Sequence, residues 1–126
     1  MLFQIDMAGG VPEEIYPHFW REHEVEGEVK AFAQGLVEGV MRERETLDEI
    51  IGGSVKHWKV ARMAVVDRNI LRVAVYELAR LRETPPAVVL DEAIEVGKKF
   101  GSEQSGSFIN GILDAVKQRV ERGDVP

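Results

Sequence analysis

Apolar residues recur along most of this chain at spacings of three and four, the period of a helix with one buried face. The run 28–43, EVKAFAQGLVEGVMRE, sets Val29, Phe32, Ala33, Leu36, Val37 and Val40 on one side. From about Ala64 to Leu81 the chain is apolar on most of its circumference, with Val65, Val66, Ile70, Leu71, Val73, Ala74, Val75, Leu78 and Leu81. A helix of that kind is predicted to be central. Val89, Leu90, Ala93, Ile94, Val96, Gly97 and Phe100 mark a further helix, and Phe108, Ile109, Ile112, Leu113 and Val116 the last. No two-residue alternation persists, so no sheet is expected. The pattern predicts an all-α fold, about six to seven helices around one core, in a single domain over 1–126.

Polar punctuation predicts the helix ends. Leu2, Phe3, Ile5 and Met7 read as the tail of an amphipathic helix stopped by Gly9-Gly10. No start signal precedes them, so 1–8 is expected to be the remnant of a first helix whose upstream part is missing. Pro12, with Glu13 and Glu14 behind it, opens the next element. That element carries Ile15, Tyr16, Phe19 and Trp20 and is kept short by Pro17. Thr46 reads as an N-cap, with Glu49 completing a capping box before Ile50-Ile51 and Gly52-Gly53 closing the element. Thr84 is expected to cap a helix that begins at Pro85, and Gly101 to end it in a left-handed cap. Beyond it lies a small polar stretch, FGSEQSGSF, at the mouth of the last helix. Ser102 or Ser105 is placed to cap that helix, and Gly106 and Gly111 to let backbones approach closely.

Composition narrows the function. The chain has 126 residues, 44% of them hydrophobic, which is enough for one core and excludes global disorder. It has no apolar run of membrane-spanning length and no secretory leader pattern at MLFQIDMAGG, so no membrane contact is expected. Cysteine is absent, which removes disulfides and thiolate metal sites and makes the cytoplasm the default location. The formal net charge of −6 argues against a generic nucleic-acid binder. His18, His23 and His57 are scattered, and the first two are five apart rather than four. The glycines at 35, 39, 52, 53, 97, 101, 106 and 111 have neither phosphate-loop nor dinucleotide spacing. Ser102, Ser105 and Ser107 lack a nucleophile-elbow context. Glu13, Glu14, Glu22, Glu24, Glu26 and Glu28 read as a solvated acidic face. No catalytic residue, metal site or cofactor is expected. Asp67, Arg68 and Arg72, with Asp91, Glu92 and Glu95 on the following helix, have two readings: ion pairs at helix edges, or a partner-facing strip.

Three longer patterns stand in order. They are D-R-x-I-L-R-x-A-x-Y-E-L within VVDRNILRVAVYEL (65–78), P-x-x-V-x-x-x-E-A-I-E after Thr84, and K-F-G-x-E-x-S-x-x-F-x-N-G-x-L-D to residue 114. Together they resemble the C-terminal half of the NusB transcription antitermination factors. Trp58 and LDEII (47–51) also fit, and LFQIDMAG looks like the end of that family's first helix. The resemblance implies an all-helical fold of two packed subbundles and a non-enzymatic role. It implies pairing with NusE, a small-subunit ribosomal protein, and binding of the pair to boxA RNA in ribosomal RNA leaders. An antitermination complex on RNA polymerase would then assemble. The family's arginine-rich start has no counterpart here, so RNA binding is expected to suffer more than NusE binding.

The resemblance also places residues. The segment matching Gly101 to Phe108 falls at the RNA surface, which makes Lys98, Lys99, Gln104, Ser105 and Phe108 the RNA-binding candidates. Phe108 has two readings, a base-stacking platform or a core residue beside Ile112. NusE contacts fall on Phe3 and Met7 with Asp67, and on the neighbourhood of Tyr76, while the other reading of Phe3 and Met7 is as core residues. Two alternatives accompany this reading. One is a domain related to the N-terminal domain of ribosomal RNA cytosine methyltransferases, whose catalytic cysteines this chain lacks. The other is a self-associating helical scaffold, a homodimer through apolar residues that a complete first helix would cover.

Overall fold

The computed structural model describes residues 27–55 and 60–126. Among them run five α-helices and one 3₁₀ turn, with no strand. In chain order, α1 is Gly27–Arg42, α2 is Arg44–Gly53, α3 is Val65–Arg80, α4 is Pro86–Phe100 and α5 is Ser105–Glu121. The 3₁₀ turn, Val60–Arg62, leads into α3. The all-α expectation holds, and α1 and α3 each lie within a residue of their predicted bounds. The first-helix remnant at 1–8, the element after Pro12, the three histidines and Trp58 lie outside the described residues.

The predicted central helix is central. α3 packs against each of the other four helices. Its Leu71, Ala74, Val75 and Leu78 meet Val40 of α1, Leu47, Ile50 and Ile51 of α2, Val89 and Ala93 of α4, and Ile109, Ile112, Leu113 and Val116 of α5. Side chains such as Leu71, Ile109 and Leu113 are fully buried, and each such burial contributes roughly 1.5–3 kcal/mol. Gly39 of α1 is a packing requirement. A methyl group there would run into the Tyr76 ring of α3, so the glycine lets the two helices close around the tyrosine.

α3 is less apolar than the pattern suggests, because Asp67, Asn69 and Arg72 are buried too. Arg72 reaches across to α2. Its Nε donates to Asp48 Oδ1 at 2.8 Å and its Nη2 to Asp48 Oδ2 at 3.0 Å, a bidentate fork. Arg72 Nη1 lies 3.4 Å from Asn69 Oδ1, and Asn69 Nδ2 donates to the Val65 carbonyl at 2.9 Å. Arg72 is therefore a tie between helices and not a helix-edge ion pair. Arg80, at the far end of α3, holds Glu43 through one nitrogen, its Nε donating to Oε1 at 2.9 Å and to Oε2 at 3.1 Å. Glu43 is the residue between α1 and α2, so Arg80 fixes the angle at which the chain turns.

Several predicted ends move. Thr46 is inside α2, which starts at Arg44 with Glu43 at the cap position and no side-chain cap. The Arg80 clamp on Glu43 draws the start three residues earlier than the local capping box would. α4 begins at Pro86, not Pro85, and Pro85 is extended at φ −57°, ψ 138°. A residue followed by proline is steered out of the helical region, so the second proline of the pair has to be the first helical one. Gly101 is extended at φ −97°, ψ −159°, and makes no left-handed cap. The left-handed glycine is Gly123 at φ 70°, where Gly123 N–H donates to Val120 O and Asp124 N–H to Arg119 O, a Schellman closure of α5. Gly111 has open space around it, so it permits no close approach.

Candidate nucleic-acid interface

The turn between α4 and α5 is four residues long, Gly101 to Gln104, and is built from small side chains. Gly97, Gly101 and Ser105 recur every fourth residue. A Cβ at Gly97 would press on Ile109 Cδ1 and meet Ser105 at 3.6 Å, so this glycine brings the end of α4 against the start of α5. A Cβ at Gly101 would lie 2.7 Å from both the Gly97 carbonyl oxygen and Ser105 Cβ, and against the Ser105 hydroxyl. Glycine is required there for space, not for φ. Gly106 does lie under a neighbour as expected, although the neighbour is the aliphatic stem of Lys98, with Cγ at 3.3 Å from where a Cβ would be.

Hydrogen bonds lock the same residues. Gly101 N–H donates to Gly97 O at 2.9 Å, and Ser105 N–H to Ser102 O at 3.1 Å. Ser102 N–H donates to Ser105 Oγ at 2.9 Å, and the two hydroxyls stand 3.3 Å apart. Ser105 is only 1% exposed. Its hydroxyl braces the turn and does not cap α5, so its oxygen is engaged within the protein.

The other candidates of this group surround the braced turn. Lys98 and Lys99 are exposed in the last turn of α4, and Gln104 is exposed at the cap position of α5. Phe108 is half-buried and packs against the core, so part of its ring has a structural role. The structure thus places Lys98 and Lys99 just before the turn, Gln104 at its end, and Ser105 and Phe108 just after it. Glu103 shares that surface and is exposed. One residue of this region escaped sequence reasoning as a site residue: Phe100 is 63% exposed, with Lys99 Nζ 5.3 Å from its ring centroid. Its apolar spacing assigned it to a helix face, but α4 ends there and no helix continues over it.

Asp67 stands apart, in the first turn of α3. It is 9% exposed, and no hydrogen-bond donor among the described residues meets its Oδ1. A buried carboxyl oxygen left without a donor costs stability unless something else satisfies it. Phe3 and Met7, the other expected partner contacts, lie outside the described residues. Among the described residues no cluster of metal-ligating side chains occurs, and no helix is long and apolar enough to cross a membrane.

Comparison with known proteins agrees with this architecture. Residues 1–118 match the NusB family. A transcription antitermination protein NusB from Anaeromyxobacter sp. (strain Fw109-5) is 50% identical over 116 residues, covering 91% of this chain and 80% of that protein. The solved structure of T. maritima NusB superposes with a TM-score of 0.86 at 36% identity, over 93% of this chain and 82% of the other. A crystal structure of the antitermination factors NusB and NusE in complex with double-stranded RNA gives a TM-score of 0.84 at 30% identity, over 93% of this chain and 87% of the matched one.

Proposed function

The chain belongs to the NusB family, and from that premise we propose that it is a non-enzymatic antitermination factor that pairs with NusE and binds boxA RNA of ribosomal RNA leaders. The observation that carries this reading is its likeness to a NusB found together with both NusE and RNA. In this reading the α4–α5 turn meets RNA. Small residues let a phosphate backbone come close, Lys98 and Lys99 supply cations, and Gln104 offers both a donor and an acceptor. Ser105 contributes indirectly, by holding the turn in shape before RNA arrives. A preformed site lowers the ordering cost of binding.

Asp67 is the proposed NusE contact. Asp67 stands in the first turn of α3, and an acidic side chain there suits a basic ribosomal protein. The complex with NusE and RNA would then join the transcription machinery on RNA polymerase. The net charge of −6 fits a division of labour in which the basic partner supplies much of the phosphate attraction.

The direct test is a titration of labelled boxA RNA with the purified chain, alone and with NusE. The expected result is a ternary complex tighter than either binary one, and weaker binding to a scrambled RNA of equal length. Equal affinity for the two RNAs would remove the boxA assignment. Failure of NusE to associate at all would remove the partner assignment.

A further inference from the structure

Phe100 is the most exposed of the large apolar side chains among the described residues, at 63%, against 41% for Val88 and 40% for Val96. Its backbone is nevertheless fixed. It is the last residue of α4, and the next N–H, that of Gly101, is tied back to Gly97 O at 2.9 Å. An aromatic ring held on a rigid stem and left in water is a stacking surface with little rotamer entropy to lose. Lys99 Nζ stands 5.3 Å from the ring centroid. A base stacked on that ring carries a phosphate within a lysine's reach.

We propose that Phe100 is a second base-stacking platform of this turn, taking an unpaired nucleotide of single-stranded RNA while Lys99 meets its phosphate. The inference rests on the reading of the turn as an RNA surface and adds a residue to it. Phe100 and Phe108 bracket the braced segment, one at its entry and one just past its exit. Their situations differ, since Phe108 packs on the core and Phe100 projects beyond the end of its helix. The surroundings favour nucleic acid over a protein partner. Phe100 is preceded by two exposed lysines, cations for a phosphate backbone, and followed by Gly101 and Ser102, small exposed residues that let a strand come close. Stacking on an aromatic face also tolerates any base, so Phe100 adds affinity for unpaired RNA more than sequence choice.

The experiment compares Phe100→Ala, Phe100→Leu and Phe100→Trp with the wild-type chain, each with NusE, against fluorescein-labelled single-stranded boxA RNA over a range of salt. Phe100→Ala should weaken binding about thirtyfold, the middle of the range for removal of one base–aromatic stack. Thermal melting should be unchanged, because so exposed a ring contributes little to the core. The salt slope should also be unchanged, because no phosphate contact is removed. Phe100→Leu should lose as much as Phe100→Ala, since it keeps apolar area without a π face, and Phe100→Trp should bind as wild type. If all three bind as wild type while a Lys98→Gln/Lys99→Gln double variant loses affinity, the turn binds RNA but Phe100 is no platform. If Phe100→Ala loses NusE association and keeps RNA affinity, the ring is a protein contact and the proposal is overturned. If the wild-type chain with NusE shows no affinity for boxA RNA, the underlying reading of the turn fails with it.

Discussion

A single buried hydroxyl holds the turn between α4 and α5. Ser105 Oγ accepts from Ser102 N–H, and Ser105→Ala removes that acceptor. The expected loss is about 1 kcal/mol of stability, the usual worth of one such bond, readable in urea unfolding. Gly101 is less forgiving. A methyl group there would meet the Gly97 carbonyl and the base of Ser105, and neither can swing away. Gly101→Ala is expected to cost more than about 2 kcal/mol, in the manner of an overpacked core, and to weaken RNA binding with it. Wild-type stability in that variant would mean that the α4–α5 crossing is loose. Glu77 gives a residue-level prediction in pH. Its carboxyl pKa is raised above the ordinary 4.5, first by burial and then by the neighbouring Glu92. Folding therefore favours the protonated form. That stabilisation is fully present below about pH 4.5 and is lost as pH rises through the raised folded value, so ionised Glu77 is a burden at neutral pH. Glu77→Gln should raise the melting temperature at pH 7, and the gain should vanish as the pH falls to about 4, below the unfolded value. A gain that is independent of pH would contradict the assignment.

Among the elements, α2 depends on a residue far along the chain. Arg119 of α5 donates from Nη1 to the Ile50 carbonyl at 3.0 Å and to Ser54 Oγ at 3.1 Å. A cation thus meets the carbonyl end of α2, where the helix dipole is negative. Arg119→Ala should lower stability by about 2 kcal/mol, as removal of a charge-assisted bond does, and protection of α2 amides against hydrogen exchange should drop with it. An unchanged exchange pattern would show that α2 is closed by its own backbone alone. This bond also explains what the sequence concealed. The cores of α1, α3, α4 and α5 were legible because burial at spacings of three and four decides them. Their ends were not, because long-range ties override local caps. Glu43 starts α2 in place of Thr46 because Arg80 grips it from 37 residues away. The Pro85-Pro86 boundary was legible in principle, through the constraint on a residue before proline. In the turn, the positions of Lys98, Lys99 and Gln104 could be read from sequence, whereas the burial of Ser105 and the exposure of Phe100 could not. Both follow from where α4 stops relative to α5, a tertiary fact.

For the whole molecule, two surfaces are set by one central helix. α3 carries Asp67 in its first turn and packs directly against α4 and α5, whose junction is the proposed RNA turn. Asp67→Asn keeps the shape and removes the charge. It should weaken NusE binding about tenfold, the order expected for deleting one charge from a charged pair, with melting little changed. A large fall in melting with unaltered NusE affinity would make Asp67 a structural residue instead. The acidic chain has to bind RNA locally, through few cations, so the salt dependence contributed by this turn should be small and traceable to named residues. The most direct measurement is the affinity of the chain with NusE for single-stranded boxA RNA as a function of salt, for wild type and for Lys98→Gln/Lys99→Gln. On this account the double variant binds more weakly at low salt, and its log–log slope is shallower by about 1.4, the value for two fewer neutralised phosphates on a single strand. An identical affinity and slope for the two proteins, with NusE association intact, would contradict the assignment of the α4–α5 turn to RNA.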